Sequence, residues 1–374
     1  MDYSGDSNVY SKEMIQLLTY PDIDPQQWQA LVDRSPYATW FQTPEAYEFY
    51  AAVPNEMKPF AVGVAELEVK GTENSAAETT ASTPYTLHHT PALKGVIVGY
   101  VTLERNPLMQ YLTCRAIIIG GPLLVDDATD EEVATLLKAV TNAFTLYTLH
   151  PTPIYIETRN FNDYSRWKDI FDINGFSYQK HLDYHINTTS LELAQSNIGK
   201  HRWRYIRLSM RDGAQIVENP TIKQVRAFYT ILQDLYRTKV RTPLWSWDFF
   251  ERLYHTEHAR YILVELDGQI VGGTACVCLP GKAVYEWYAC GLDNCRDDIR
   301  PLSVAIWGEM QYAAENGYPL FDFMGAGTPD KPYGVRDFKA EFGGELVEHG
   351  RFLYVRKPLL YLIGKLGVKW LKRR

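Results

Sequence analysis

The stretch Leu320-Phe-Asp-Phe-Met-Gly325, followed by Gly334-Val-Arg-Asp-Phe-Lys-Ala-Glu-Phe-Gly343 and Gly350-Arg-Phe-Leu-Tyr-Val355, decides the fold. It reads as a short apolar strand stopped by glycine, a helix over 335–342 closed by Gly343-Gly344, and a final strand. Upstream, strands over 261–266, 269–279 and 283–292 are joined by turns at Asp267-Gly268 and Pro280-Gly281, and a helix over 301–315 stops at Asn316-Gly317. The first half runs in the same order. Strands over 59–69, 94–104 and 115–125 precede a helix over 130–146, a strand over 153–159, a helix over 164–174 stopped by Gly175, and a strand over 178–187. Laying Gly175 over Gly343 places Lys168-Asp-Ile-Phe171 on Arg336-Asp-Phe-Lys339, and Leu182-Asp-Tyr184 near Phe352-Leu-Tyr354. The twofold order predicts a duplicated α/β unit of the α+β type, with mixed, mostly antiparallel sheets.

A length of 374 residues suits two cores of ~150–200 residues each. The repeat places them at 1–190 and 191–356, with a basic amphipathic helix over 357–374. Residues 70–92, rich in Thr, Ser, Ala and Glu, bury too little apolar surface to order and are expected to form a disordered hairpin loop. The net charge is −7, yet eight Lys/Arg and no acid follow from Arg351 onward, so the remainder holds 30 Lys/Arg against 45 Asp/Glu. Such an acidic body excludes a general nucleic-acid binder, and any polyanion must meet a local patch.

The five cysteines form no pair of CxxC motifs and read as reduced thiols, with Cys276 and Cys278 in the core. The first residues carry acids and no apolar run, and no stretch has the ~20 apolar residues of a membrane span. A cytoplasmic protein is expected. Its tail, with Leu359, Leu360, Leu362, Ile363, Leu366 and Trp370 beside lysines, suits peripheral contact with an anionic inner membrane face. The competing reading is a terminal helix packed on its own domain.

Several pieces of sequence, spread in order over most of the chain, resemble the FemABX family. They are Phe41-Gln-Thr-Pro44, Gly120-Gly-Pro-Leu123, Lys200-His-Arg-Trp-Arg-Tyr-Ile-Arg207, Phe228-Tyr229, Phe249-Phe250 and the 321–325 and 334–343 stretches. The resemblance implies two tandem GNAT-like acyltransferase domains and no cofactor. It also implies transfer of an amino acid from aminoacyl-tRNA to the amino group of a peptidoglycan precursor, nucleotide- or lipid-linked. The long helical hairpin that many such enzymes carry has no counterpart here. GNAT enzymes that use CoA offer a glycine-rich turn to its pyrophosphate. Here residues 293–303 hold no glycine and three acids, Asp293, Asp297 and Asp298. A CoA-dependent N-acyltransferase acting on an amino sugar or small amine stays as one alternative, and a non-catalytic precursor-binding module as another.

Aminolysis of an ester needs a neutral amine, a donor for the tetrahedral oxyanion and exclusion of water, but no nucleophilic triad. Lys339 is the candidate cation, beside the expected core face of Val335, Phe338 and Phe342; its bland reading is a solvated lysine. Asp322, flanked by two Phe residues, is the second catalytic candidate, as a partner for the acceptor amine; its bland reading is an ion pair with an arginine. Lys200, Arg204, Arg207 and Arg211 share a helix on which Trp203, Ile206 and Met210 form the apolar stripe. With Arg237 and Arg241 they are candidate phosphate contacts, or simply a solvated basic face. Trp40, Phe41, Tyr285, Trp287 and Tyr288 either line the cleft or fill the core. His255 with His258, and His181 with His185, have suggestive spacing, but the sequence supplies no carboxylate to complete a metal set, and none is expected.

Overall fold

The computed structural model describes residues 9–72, 92–146, 152–293 and 295–371. Most of the expected hairpin loop, 73–91, lies outside the described residues, and its first three residues end a strand. The chain opens with β1 (Val9–Thr19), α1 (Pro25–Arg34), α2 (Pro44–Ala51), β2 (Met57–Thr72), β3 (Ala92–Thr102) and α3 (Pro107–Thr113). Then come β4 (Ala116–Ile119), β5 (Leu123–Leu124), α4 (Asp130–Leu146), β6 (Tyr155–Arg159), α5 (Lys168–Ile173), β7 (Ser177–Gln179) and β8 (Leu182–Asn187). The second half continues with α6 (Leu191–Asn197), α7 (Lys200–Arg211), β9 (Gln215–Val217), α8 (Ile222–Leu235), α9 (Trp247–Tyr254), β10 (Ala259–Leu266), β11 (Gln269–Leu279) and β12 (Ala283–Gly291). It ends with α10 (Pro301–Glu315), β13 (Leu320–Asp322), α11 (Gly334–Ala340), β14 (Glu345–Glu348), β15 (Arg351–Val355) and α12 (Pro358–Leu371).

Local chemistry accounts for the element ends. On α8, Thr221 and Gln224 form a capping box, and Val225, Phe228, Tyr229 and Leu232 bury one stripe at i, i+3, i+4 and i+7. Gly175 and Gly343, the two glycines of the sequence repeat, both adopt the left-handed conformation, with φ of 83° and 82°. At Gly343 a Cβ would lie 2.2 Å from the Asn197 carbonyl oxygen, so both space and backbone demand glycine.

The duplication is visible in the sheets. One has the order β1-β2-β3-β4-β6-β15-β7, with β5 beside β3; the other, written in the matching sense, is β9-β10-β11-β12-β13-β8-β14. In each, a single parallel contact (β4 with β6, β12 with β13) sits at the same place, and the remaining pairs are antiparallel. The expectation that each half closes its own sheet is corrected. β8 pairs with β13 and β14 of the second half, while β15 inserts between β6 and β7 of the first. The expected strand over 178–187 is therefore two strands in two sheets, and a cut at 190 separates β8 from its partners.

The largest hydrophobic cluster runs through both halves, and two smaller ones lie outside it, over 182–342 and 214–305. Phe352 of β15 stacks on Phe171 of α5 at 3.8 Å between ring centroids and 10° between planes. Trp40, Phe41 and Phe49 of the first half meet Phe249, Tyr285 and Trp287 of the second through mostly edge-to-face contacts. Among the described residues no cysteine forms a disulfide, and Cys276 and Cys278 are buried as expected.

Candidate active site

The cleft lies where the strands cross over. β12 and β13 pair only over 283–285 with 320–322; β13 ends there, and β12 runs on to Gly291 without it. In the same place β12 carries a bulge: Cys276 faces Glu286 and Ala275 faces Tyr288, leaving Trp287 as the extra residue. Strict alternation would turn Glu286 away from its neighbours' face. With the bulge, Glu286, Trp287 and Tyr288 all border one cleft of about 1430 Å³. Gly350 and Arg351 at the start of β15, and His181 to Asp183 at the start of β8, form its far side. The Gly350 N–H donates to the His181 carbonyl at 3.2 Å, and Leu182 N–H to the Gly327 carbonyl at 2.8 Å, so backbone ties the crossover shut.

Lys339 lines this cleft and is nearly buried, not solvated. Its ammonium donates to the carbonyls of Phe323 at 2.7 Å and Gly325 at 2.9 Å, and stands 3.8 Å from Glu286 Oε1. Two of its three N–H bonds thus hold the turn at Met324-Gly325, where both residues have positive φ. Glu286 is buried with Oε2 unpartnered. Burial pushes its carboxyl up to about 7, opposed by the Lys339 charge and reinforced by Asp322.

Asp322 is fully buried and does not border the cleft. Its partner is a histidine and not an arginine: Oδ2 lies 3.1 Å from His185 Nε2, while Oδ1 accepts the Met324 N–H at 2.6 Å. Asp183 borders the cleft in front of it, and burial together with the Asp322 charge holds its carboxyl well above the ordinary range. Asp183, His185 and Asp322 bring one ligand atom each within 4.8 Å of one another, supplying the carboxylates that the spacing of the histidines did not reveal. Glu45, Glu257 and His258 form a second such group.

A cationic wall completes the site. Arg159 Nε lies 2.7 Å and Arg351 Nη1 3.2 Å from Glu157 Oε1, and both arginines border the cleft. Burial opposes ionisation of Glu157, but the two guanidiniums outweigh it and hold the carboxyl below its ordinary value. Burial and then Arg159 lower Arg351 to about 10. His181 accepts from Arg351 at 3.0 Å; burial and then that guanidinium drive its pKa down to about 3, so it is a neutral acceptor.

Other sequence candidates fall elsewhere. Trp40, Phe41 and Tyr285 are core residues behind Trp287; only Trp287 and Tyr288 of the aromatic set reach the cleft. Lys200, Arg204, Arg207 and Arg211 are exposed on α7, away from the cleft, and Arg211 pairs with Asp212 at 2.7 Å. Arg241 borders the cleft with Lys239, whereas Arg237 turns to Asp234. Val335, expected in the core, is exposed at the rim. A smaller hollow abuts the cleft at Leu302 and Phe338, between the 293–303 turn and α10. Arg202 and Arg300 border it together with Asp293 and Asp297. Lys239 forms an ion pair with Asp293. Glu286 was legible by the rule applied to Asp322, an acid inside an apolar strand. Asp183, between Leu182 and Tyr184, carries the same signal, whereas Arg159 and Arg351 carry none.

Residues 200–339 match the acetyltransferase (GNAT) domain family. A FemX crystal structure is similar over 94% of this chain and 99% of its own, with a TM-score of 0.64 and 14% identity. L-PGS from Bacillus licheniformis is similar over 92% and 96%, with a TM-score of 0.52 and 12% identity. The C-terminal domain (DUF2156) of a putative lysylphosphatidylglycerol synthetase from Agrobacterium fabrum covers 72% of this chain and 85% of its own, with a TM-score of 0.49 and 13% identity. No curated protein sequence matches. The chain thus has the tandem GNAT-like fold that its resemblance to the FemABX family implied, and the matched GNAT domain lies within its second half.

Proposed function

We propose that this protein is an aminoacyltransferase, moving an amino acid from aminoacyl-tRNA to the amino group of a peptidoglycan precursor. The observation that carries the reading is the pairing of Lys339 with Glu286 at the split between β12 and β13, in a fold shared with FemX over nearly the whole chain. A cleft of this size exceeds the ~300–1,000 Å³ of ordinary small-molecule pockets, which suits two substrates meeting in it. The acceptor nitrogen attacks the ester carbonyl carbon, the new C–N bond forms, and the C–O bond to the tRNA ribose breaks. Ionised Glu286 takes the amine proton and returns it to the departing ribose hydroxyl. The third N–H of Lys339 donates to the oxyanion as charge develops. Arg159, Arg351 and Arg241 supply the local positive field for the substrates' phosphates.

A CoA-dependent acyltransferase is the second reading, favoured by Arg202 and Arg300 beside the N-terminus of α10. The acids of the same turn oppose it. Incubation of a purified nucleotide-linked precursor with a charged tRNA pool, with acetyl-CoA in a parallel reaction, separates the two by mass. An aminoacyl increment dependent on tRNA is expected; an acetyl increment alone transfers the site to the second reading, and no increment from either leaves the binding-module reading.

A further inference from the structure

Two helices far apart in sequence build one apolar, basic surface. α3 buries none of its residues, and Leu108, Met109, Tyr111 and Leu112 are exposed on it. α12 exposes Leu359, Leu362, Ile363 and Leu366, a stripe at i, i+3, i+4 and i+7. These eight are among twenty large apolar side chains exposed in the described residues, on helices of only 7 and 14 residues. A soluble helix normally turns such a stripe inward. α12 instead packs through Tyr361, whose ring meets Tyr155 edge-on at 5.5 Å, and leaves the stripe to solvent. The helices touch, and the Lys357 ammonium lies 4.9 Å from the Tyr111 ring centroid while donating to the Thr152 carbonyl at 2.9 Å.

Charge selects the occupant. From Arg356 to the end there are seven Lys/Arg and no acid, and Arg105 precedes α3, itself free of acids, with Glu104 as the one acid beside it. A second copy docking on the same face would bring these like charges together, whereas an anionic lipid surface complements them. We infer that α3 and α12 together form a docking face for an anionic bilayer, with the leucines of both helices entering its interface. No helix among the described residues is long and apolar enough to cross a membrane, so attachment is to one leaflet. The inference stands independently of the chemistry in the cleft.

The experiment is co-sedimentation of the full chain with phosphatidylglycerol and phosphatidylcholine vesicles at low and high salt. Its variants are Leu108→Glu with Leu112→Glu on α3, and Leu362→Glu with Ile363→Glu on α12. Binding to phosphatidylglycerol only, weakened by salt and reduced at least ~10-fold by either pair, is expected. Wild-type binding by the α3 pair would overturn the two-helix face, as would absence of wild-type binding at low salt. A dimer in sedimentation velocity that either pair breaks would assign the face to self-association instead. Thermal melts control for folding. Transfer to a water-soluble precursor should be unchanged in the α3 pair, so failure of the docking face and failure of the proposed reaction are separable.

Discussion

The Lys339 ammonium stands 3.8 Å from Oε1 of Glu286 while two backbone carbonyls, at 2.7 and 2.9 Å, fix where it stands. A cation held this way faces a carboxyl that burial keeps near neutrality. Neither group is free to relax toward water. Such preorganisation is what proton transfer and oxyanion stabilisation require.

Glu286 should act as base only when ionised. Its carboxyl titrates at about 7, above the ordinary range, so the transfer rate should climb with pH through that region. Glu286→Gln should lower kcat by ~10²–10⁴-fold and remove this limb from the pH–rate profile. The same raised value means the wild type loses stability relative to Glu286→Gln as pH rises from the ordinary 4.5 to about 7, with no further loss above it. A variant with unchanged turnover and profile would remove Glu286 from the chemistry.

Lys339→Met deletes both the proposed oxyanion donor and the clamp on the Met324-Gly325 turn. Turnover should fall by ~10²-fold or more. Amide exchange at Met324 to Gly327 should accelerate even without substrate, because their turn loses two charge-assisted bonds. Retained turnover with faster exchange would reduce the lysine to a positioning residue.

Titration calorimetry with CoA should detect no binding in the micromolar range. Asp293 and Asp297 face the hollow where a pyrophosphate would lie. Asp293→Asn with Asp297→Asn should improve any residual affinity; tight binding by the wild type would favour the CoA reading.

Phe171→Ala should destabilise the whole molecule by ~3–5 kcal/mol, the usual cost of emptying a buried aromatic site. The ring stacks on Phe352, which enters the first sheet from the far end of the chain. A chain ending after residue 190 should therefore fail to give a cooperative thermal transition, whereas 1–356 should melt as one unit. Circular dichroism on both reads this directly.

Period and punctuation made much of the fold legible from sequence alone. Glycine stops at 175 and 343, the turns at Asp267-Gly268 and Pro280-Gly281, and the apolar runs of β10 to β12 are local signals, and they revealed the duplicated order. Lys339 and the acid-in-apolar-strand signal at Asp322 were local too. The exchange of β8 and β15 was not legible, because a buried strand presents the same alternation to either sheet and its partners are chosen by long-range packing. The site suffered likewise. Arg159, Asp183 and Arg351 are separated by as many as 192 residues and meet only because the exchanged strands begin at one cleft. The basic helix α7 looked like a binding surface because charge pattern reports which residues share a helix face, whereas only the tertiary packing decides where that face points.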